Sequence, residues 1–160
     1  MAVGKRIVTL FEILIVTTLF AMFAGIVITS HTNDAIISHT EEFVEMVRYK
    51  GCITKNTYDD FLKGFDTPVE VNIQVTRKPQ LSTPGALDTV QMTQDVVNTM
   101  AADANGIYRM NVGDEIQVVV RKPSGNLYNT LIGSITGQYA AGDKPAIAIK
   151  GGMILNTQYD

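Results

Sequence analysis

The sequence has no tryptophan, one cysteine, two histidines and five prolines in 160 residues. A lone Cys52 excludes an intrachain disulfide and any cysteine-based zinc ribbon or finger. It is expected as a buried free thiol, with an intermolecular disulfide as the alternative if the domain lies outside the cytoplasm. Basic residues occur singly or in scattered pairs, Lys5-Arg6, Arg77-Lys78 and Arg121-Lys122, and the formal net charge is −3. No basic footprint for nucleic acid is therefore present, and nucleic acid is not expected as a partner.

Chemistry-bearing patterns are equally scarce. His31 and His39 lie eight residues apart on one predicted helix, diverging by about 80° and by about 12 Å along its axis, too far to share one metal within the chain. Both are expected to face solvent or the membrane boundary. The acidic pairs Glu41-Glu42, Asp59-Asp60 and Asp114-Glu115 sit on neighbouring positions, which diverge on a helix or strand and do not by themselves make a dyad. Ser124-Gly125 lies in a turn with no histidine nearby and no G-x-S-x-G element, and no phosphate-binding G-x-x-x-x-G-K-[ST] loop occurs. The expectation is a non-enzyme with no metal and no cofactor.

The sequence does contain one long apolar run, IVTLFEILIVTTLFAMFAGIVITS, residues 7–30, with a single charged side chain, Glu12. A helix of that length, at ~1.5 Å per residue, spans the ~30 Å hydrocarbon core of a bilayer. The stub at residues 1–6 carries Lys5 and Arg6 and no acid, which predicts a cytoplasmic N-terminus and an exported C-terminal domain. A cleaved secretory signal is the alternative, but the run is longer than a usual signal core. No A-x-A-like site follows it before His31-Thr32-Asn33-Asp34.

Two features of this segment point to neighbours. Thr17, Ala21, Gly25 and Thr29 recur every four residues as a stripe of small side chains, the kind of surface along which membrane helices approach closely. Small residues are also simply frequent in such helices. Glu12 costs about 3 kcal/mol if held charged near the bilayer centre. It either snorkels toward the cytoplasmic face, with Lys5 nearly on the same side, or pairs with a positive group on another chain. Glu12 points about 140° from Thr17, so one dimer interface would not use both, whereas a helix surrounded by several neighbours could.

Beyond Ser30 no Pro or Gly occurs until Gly51. Ile36, Ile37, Phe43, Val44 and Val47 fall on one side, and Asp34, Ser38, Glu41, Glu42, Glu45 and Arg48 on the other. The helix is predicted to continue into water, making roughly 40 residues and about 60 Å in all. Gly51 ends it, and Thr54 caps a shorter helix to Gly64, so that residues 31–66 hold the helical continuation and a second helix. Residues 67–160 read as an exported antiparallel β domain: a strand alternating through Val69, Val71, Ile73 and Val75, strands at 107–112 and 115–121, and candidates at 131–139 and 146–155. Residues 80–106 read as an insertion, with a short helix at 93–102 burying Val96, Val97 and Met100. Gly151-Gly152 is expected to interrupt the last strand with a bulge or bend. The fold class is α+β, a long N-terminal helix, half transmembrane and half amphipathic, packed on a C-terminal antiparallel sheet.

A short basic stub, LFEILIV with its embedded acid, one unbroken helix and a following sheet resemble pilin-like proteins, type IV pilins and the TadE-like minor pilins of tight-adherence pili. The resemblance is strongest over residues 10–30 and architectural elsewhere. It implies a structural subunit, a minor one, of a membrane-assembled pilus or related secretion or conjugation filament. The partners it implies are the membrane, further copies or other pilin-like subunits, and the pilus assembly machinery. In type IV pilins a peptidase cuts after a glycine, and the acid at the fifth mature position meets the N-terminal amine of a neighbouring subunit. Glu12 matches that acid if Val8 is the first mature residue, but Ile7, not glycine, precedes it. Cutting after Gly4 instead puts Glu12 eighth. The departure favours a TadE-like or other divergent member over a standard major pilin. The alternative is a permanently anchored surface binding module; a membrane-tethered enzyme comes third and would need convergent polar groups in a pocket.

Overall fold

The computed structural model describes residues 2–79, 88–122 and 146–157; side chains are described from Val8 onward. Helix α1, Ala2–Lys50, runs without interruption through both the apolar run and the amphipathic stretch. It stops where the sequence supplies a residue without a Cβ: Gly51 has φ 68°, and its N–H donates to the Val47 carbonyl at 2.8 Å. Arg48 and Lys50 in the last turn complement the negative end of the helix dipole. Contacts divide the chain into two compact units, and α1 contributes to each, the first reaching Asp34 and the second beginning at Ala35.

In the second unit the chain continues through β1, Cys52–Thr54, and α2, Lys55–Lys63. Thr54 caps α2 by accepting the Thr57 N–H at 3.1 Å, as its position before the helix predicts. Next come β2, Glu70–Arg77, β3, Thr89–Met92, and α3, Thr93–Ala102. Strands β4, Ile107–Arg109, β5, Glu115–Arg121, and β6, Ala146–Met153, complete the order. The strands β3-β2-β5-β6 form a four-stranded sheet, and β1-β4 a two-stranded one; all the pairings are antiparallel. Ile73 of β2 lies opposite Val118 and Val75 opposite Ile116, so the alternation puts four apolar side chains on one face. Ala148 and Ile154 join them, and Ile36, Phe43, Val44 and Val47 of α1 fill the same core. The amphipathic half of the helix is therefore packed where its spacing directs it.

One polar residue lies within that apolar side of α1. Thr40 is fully buried, and its hydroxyl donates to the Ile36 carbonyl at 2.7 Å, so burial leaves no unsatisfied group. Outside the core, α1 is tied to β6 by polar contacts. Arg48 Nε donates to the Met153 carbonyl at 3.0 Å, Leu155 N to the Arg48 carbonyl at 2.9 Å, and Lys150 Nζ to Glu41 at 2.7 Å.

Several expectations change at this level. His39 does not face solvent: it is half-buried, with Nε2 3.1 Å from the Phe61 carbonyl and its ring set against Phe61 and Phe65. The same Phe61 stacks on Phe43 at 4.1 Å, so a polar-looking position of the helix became part of an aromatic cluster holding α2. The bulge expected at Gly151-Gly152 falls instead between Val120 and Arg121, while both glycines stay in register opposite Gln117 and Ile116. Their role is close approach. A Cβ on Gly151 would sit 2.6 Å from the Ile116 carbonyl oxygen, and one on Gly152 2.6 Å from Arg48 Nε.

Strand β4 ends before residue 112 because the chain turns at once, Asp114 N donating to the Asn111 carbonyl at 3.1 Å. Of residues 80–106, the described part supplies α3 over the predicted residues and also β3, an edge strand paired with β2. The Thr93 hydroxyl accepts the Ile73 N–H at 2.7 Å, so it takes over the ladder one residue past the end of β3. The strand candidate at 131–139 and the turn at 123–126 lie outside the described residues.

Gly151→Ala should lower stability by about 1–3 kcal/mol, because the methyl group meets backbone that cannot move aside without parting β5 from β6. Denaturant unfolding of the full chain in detergent, followed by tryptophan-independent circular dichroism, measures it. An unchanged midpoint would contradict the close-approach role.

Candidate functional site

From Val8 to Ser30 the helix is a surface. Leu10 is 66% exposed, Phe20 73% and Phe23 68%, and large apolar side chains are exposed on every side of it. Helix Val8–Lys50 is long and apolar enough to cross a membrane, and its most apolar stretch has no side chain buried within this chain. Water solvates such a surface poorly.

The polar groups in this segment separate into two kinds. Thr17 donates its hydroxyl to the Ile13 carbonyl and also lies 3.3 Å from that of Leu14, and Thr18 donates to Leu14 at 2.7 Å. Hydroxyls bonded back to their own helix present little more than a methyl group and a small volume to a neighbour. Glu12 differs: it is exposed and makes no hydrogen bond or ion pair with any described residue. The carboxylate is thus the group whose requirement this segment does not meet. Pairing with Lys5 falls outside the described side chains.

The small stripe is real as a geometry. Thr17 and Ala21 are exposed, Gly25 and Thr29 half-exposed, and a Cβ on Gly25 would meet nothing within 4 Å. No described residue requires a glycine there. Gly4 and Ile7 are helical, and Val8 is 57% exposed. Backbone around either expected processing position is part of α1.

No family model matches the chain, nor does any curated protein or solved structure. The protein has a long apolar N-terminal helix whose outer half packs on a four-stranded antiparallel sheet, an arrangement consistent with pilin-like architecture.

Elsewhere several titratable groups have structural partners. Among the described residues no group of three His, Cys, Asp or Glu side chains could hold a metal ion. The acidic pairs diverge: Asp114 is buried while Glu115 turns outward to Lys78 at 2.6 Å, and Glu41 reaches Lys150 while Glu42 is exposed. Asp114 is a knot the composition did not announce. Its carboxylate accepts the Asn111 N–H at 2.8 Å and the Lys78 N–H at 3.2 Å, and its carbonyl accepts Ile154 N at 2.8 Å. The one signal for it is its place after Gly113, which has φ 95° and opens a turn. Tyr108, fully buried, donates its hydroxyl to the side-chain Oε1 of Gln91, with the Arg77 guanidinium 5.3 Å over its ring. Ser124 lies outside the described residues.

Cys52 is a buried free thiol. Burial raises its pKa above the ordinary 9.0, against the opposing pull of Lys50 and Arg109. A raised pKa means that the folded state holds its proton longer than the unfolded chain, so this contribution is full below the ordinary thiol value and is lost as pH rises beyond it. In the native protein a maleimide should label Cys52 far more slowly than in the denatured chain. Stability should fall as pH climbs past 9.0, and Cys52→Ala should flatten part of that slope, measured by urea midpoints between neutral and alkaline pH. Rapid native labelling would contradict the buried site.

Proposed function

We propose that this chain is a pilin-like structural subunit, a minor one, of a membrane-assembled pilus or related secretion or conjugation filament. The observation that carries the reading is the surface of α1 itself: apolar on all sides over a bilayer's length, with a single carboxylate that has no partner among the described residues. A permanent lipid anchor needs the apolar surface but does not need Glu12, whose charge costs about 3 kcal/mol near the bilayer centre and less toward an interface. A helix that leaves the bilayer to pack among others uses both features. Lipid covers its surface before assembly and neighbouring helices cover it afterwards, and a cation on another subunit meets the acid. Close approach along Thr17, Ala21, Gly25 and Thr29 provides a second, differently directed contact.

In this reading the N-terminus is cytoplasmic, the α+β unit is exported, and the chain performs no catalysis and holds no cofactor. Its partners are the membrane, other pilin-like subunits and the assembly machinery. The departure at Ile7-Val8 from a glycine-preceded processing site fits a TadE-like or divergent member.

The protein should be recovered in filaments sheared from the cell surface. Glu12→Ala should reduce that fraction by about tenfold or more, the effect of losing about 1.4 kcal/mol of contact energy per subunit, while the membrane pool stays intact. Retention of the wild type wholly in the membrane under filament-forming conditions would sink this reading and leave the anchored binding module. Mass spectrometry of the native N-terminus adds an independent readout. An N-methylated residue at Lys5 or Val8 supports prepilin-type processing, intact Met1 supports a fixed anchor, and an end near Ser30 a cleaved signal.

A further inference from the structure

The turn between α3 and β4 carries Asn105-Gly106, the one Asn-Gly pair in the sequence. Asn105 is exposed, and its side-chain amide bonds to no described residue. Gly106 has φ 65° and no side chain to shield its nitrogen. The turn is clasped by one residue. Asp103 accepts the Gly106 N–H on its carbonyl at 3.0 Å, and the Asn105 and Ile107 N–H groups on Oδ1 at 2.9 and 3.3 Å. Arg109 donates to its other oxygen at 2.6 Å.

The geometry points to Asn105 as a site of spontaneous deamidation and isoaspartate formation, gated by the Asp103 clasp. While the clasp is closed, the Gly106 N–H is committed to the Asp103 carbonyl and is a poor nucleophile. When it opens, the Gly106 nitrogen gives up its proton to solvent base and bonds to Cγ of Asn105. The Cγ–Nδ2 bond breaks and ammonia leaves, closing a five-membered succinimide. Water then opens this ring at Cγ, returning a normal aspartate, or at the main-chain carbonyl, giving isoaspartate. The net change is asparagine plus water to an aspartyl residue plus ammonia, with no redox step.

The isoaspartyl product has consequences beyond the turn. It adds a methylene to the main chain immediately before Gly106, whose carbonyl accepts the Lys55 N–H at 2.9 Å. That bond holds the first residue of α2 beside β4. An aged chain therefore loosens the start of α2, whatever the protein assembles into.

The test is peptide mapping of the full-length protein, in detergent, after incubation at mildly alkaline pH, with isoaspartate scored by enzymatic methyl transfer. Slow conversion at Asn105 is expected in the wild type. Asp103→Ala keeps the main-chain bond to Gly106 but removes the carboxylate that holds Asn105 N and Ile107 N; it should accelerate conversion about tenfold, since hydrogen bonds to a charged group no longer oppose opening. Arg109→Ala removes only the ion pair and keeps the bonds from Asp103 to the turn's N–H groups, and should accelerate it less. Circular dichroism establishes that each variant is folded. Conversion equally fast in the wild type, in Arg109→Ala and in the denatured chain would overturn the gate. No conversion at Asn105 in any of them would overturn the site.

Discussion

A single run of helical hydrogen bonds carries two different surfaces. Over residues 8–30 α1 exposes apolar side chains all round, and over residues 36–47 it places Ile36, Phe43, Val44 and Val47 in a protein core. Neither half can be exchanged for the other. An all-round apolar surface would leave the sheet's partner helix with no polar face, and a one-sided stripe over residues 8–30 would not suit a segment that crosses a bilayer. The chain meets the constraint with sequence periodicity alone, since no proline or glycine marks the change between Ser30 and Lys50.

The rest of the α+β unit follows from where α1 stops. Gly51 turns the chain, β1 follows at once, and Met110 N reaches back to the Gly51 carbonyl at 2.8 Å, so the helix end and the small sheet are one construction. The Arg48 and Leu155 contacts then fix the end of β6 to the last turn of the helix, with Gly152 clearing space for the guanidinium. On the opposite flank α2 is held through Phe43, Phe61 and His39. A Cβ on Gly64 would collide with His39 Nε2, so the glycine that ends α2 also admits the imidazole. Local capping and tertiary packing thus agree at the same residues.

Much of this was legible in the sequence because it rests on period. The alternation of Ile73, Val75, Ile116, Val118 and Val120 and the helical spacing from Ile36 to Val47 specify which faces meet, and Gly51 and Thr54 specify two helix ends. What period does not carry was missed. β3 is four residues long and mostly exposed, so it has no alternation to announce it. Gly151 and Gly152 look like a bend locally, and only the position of Ile116 and Arg48 in space explains them. His39 is polar by type, yet an apolar cluster with a free carbonyl captures it. At the candidate site Glu12 and the small stripe were legible as residues and directions. That Thr17 and Thr18 bond to their own backbone while Glu12 bonds to no described residue is a property of the folded chain, which residue types alone do not carry.

In the proposed filament several neighbouring helices, not lipid alone, finally cover the surface of α1. Cysteines placed one at a time at Ala21, on the small stripe, and at Val16, one turn from Glu12, in a Cys52→Ala background, test it by oxidative cross-linking in whole cells. A surrounded helix should give cross-linked products from both positions in the sheared surface fraction. Cross-links from one position only, or none outside the membrane fraction, would contradict it.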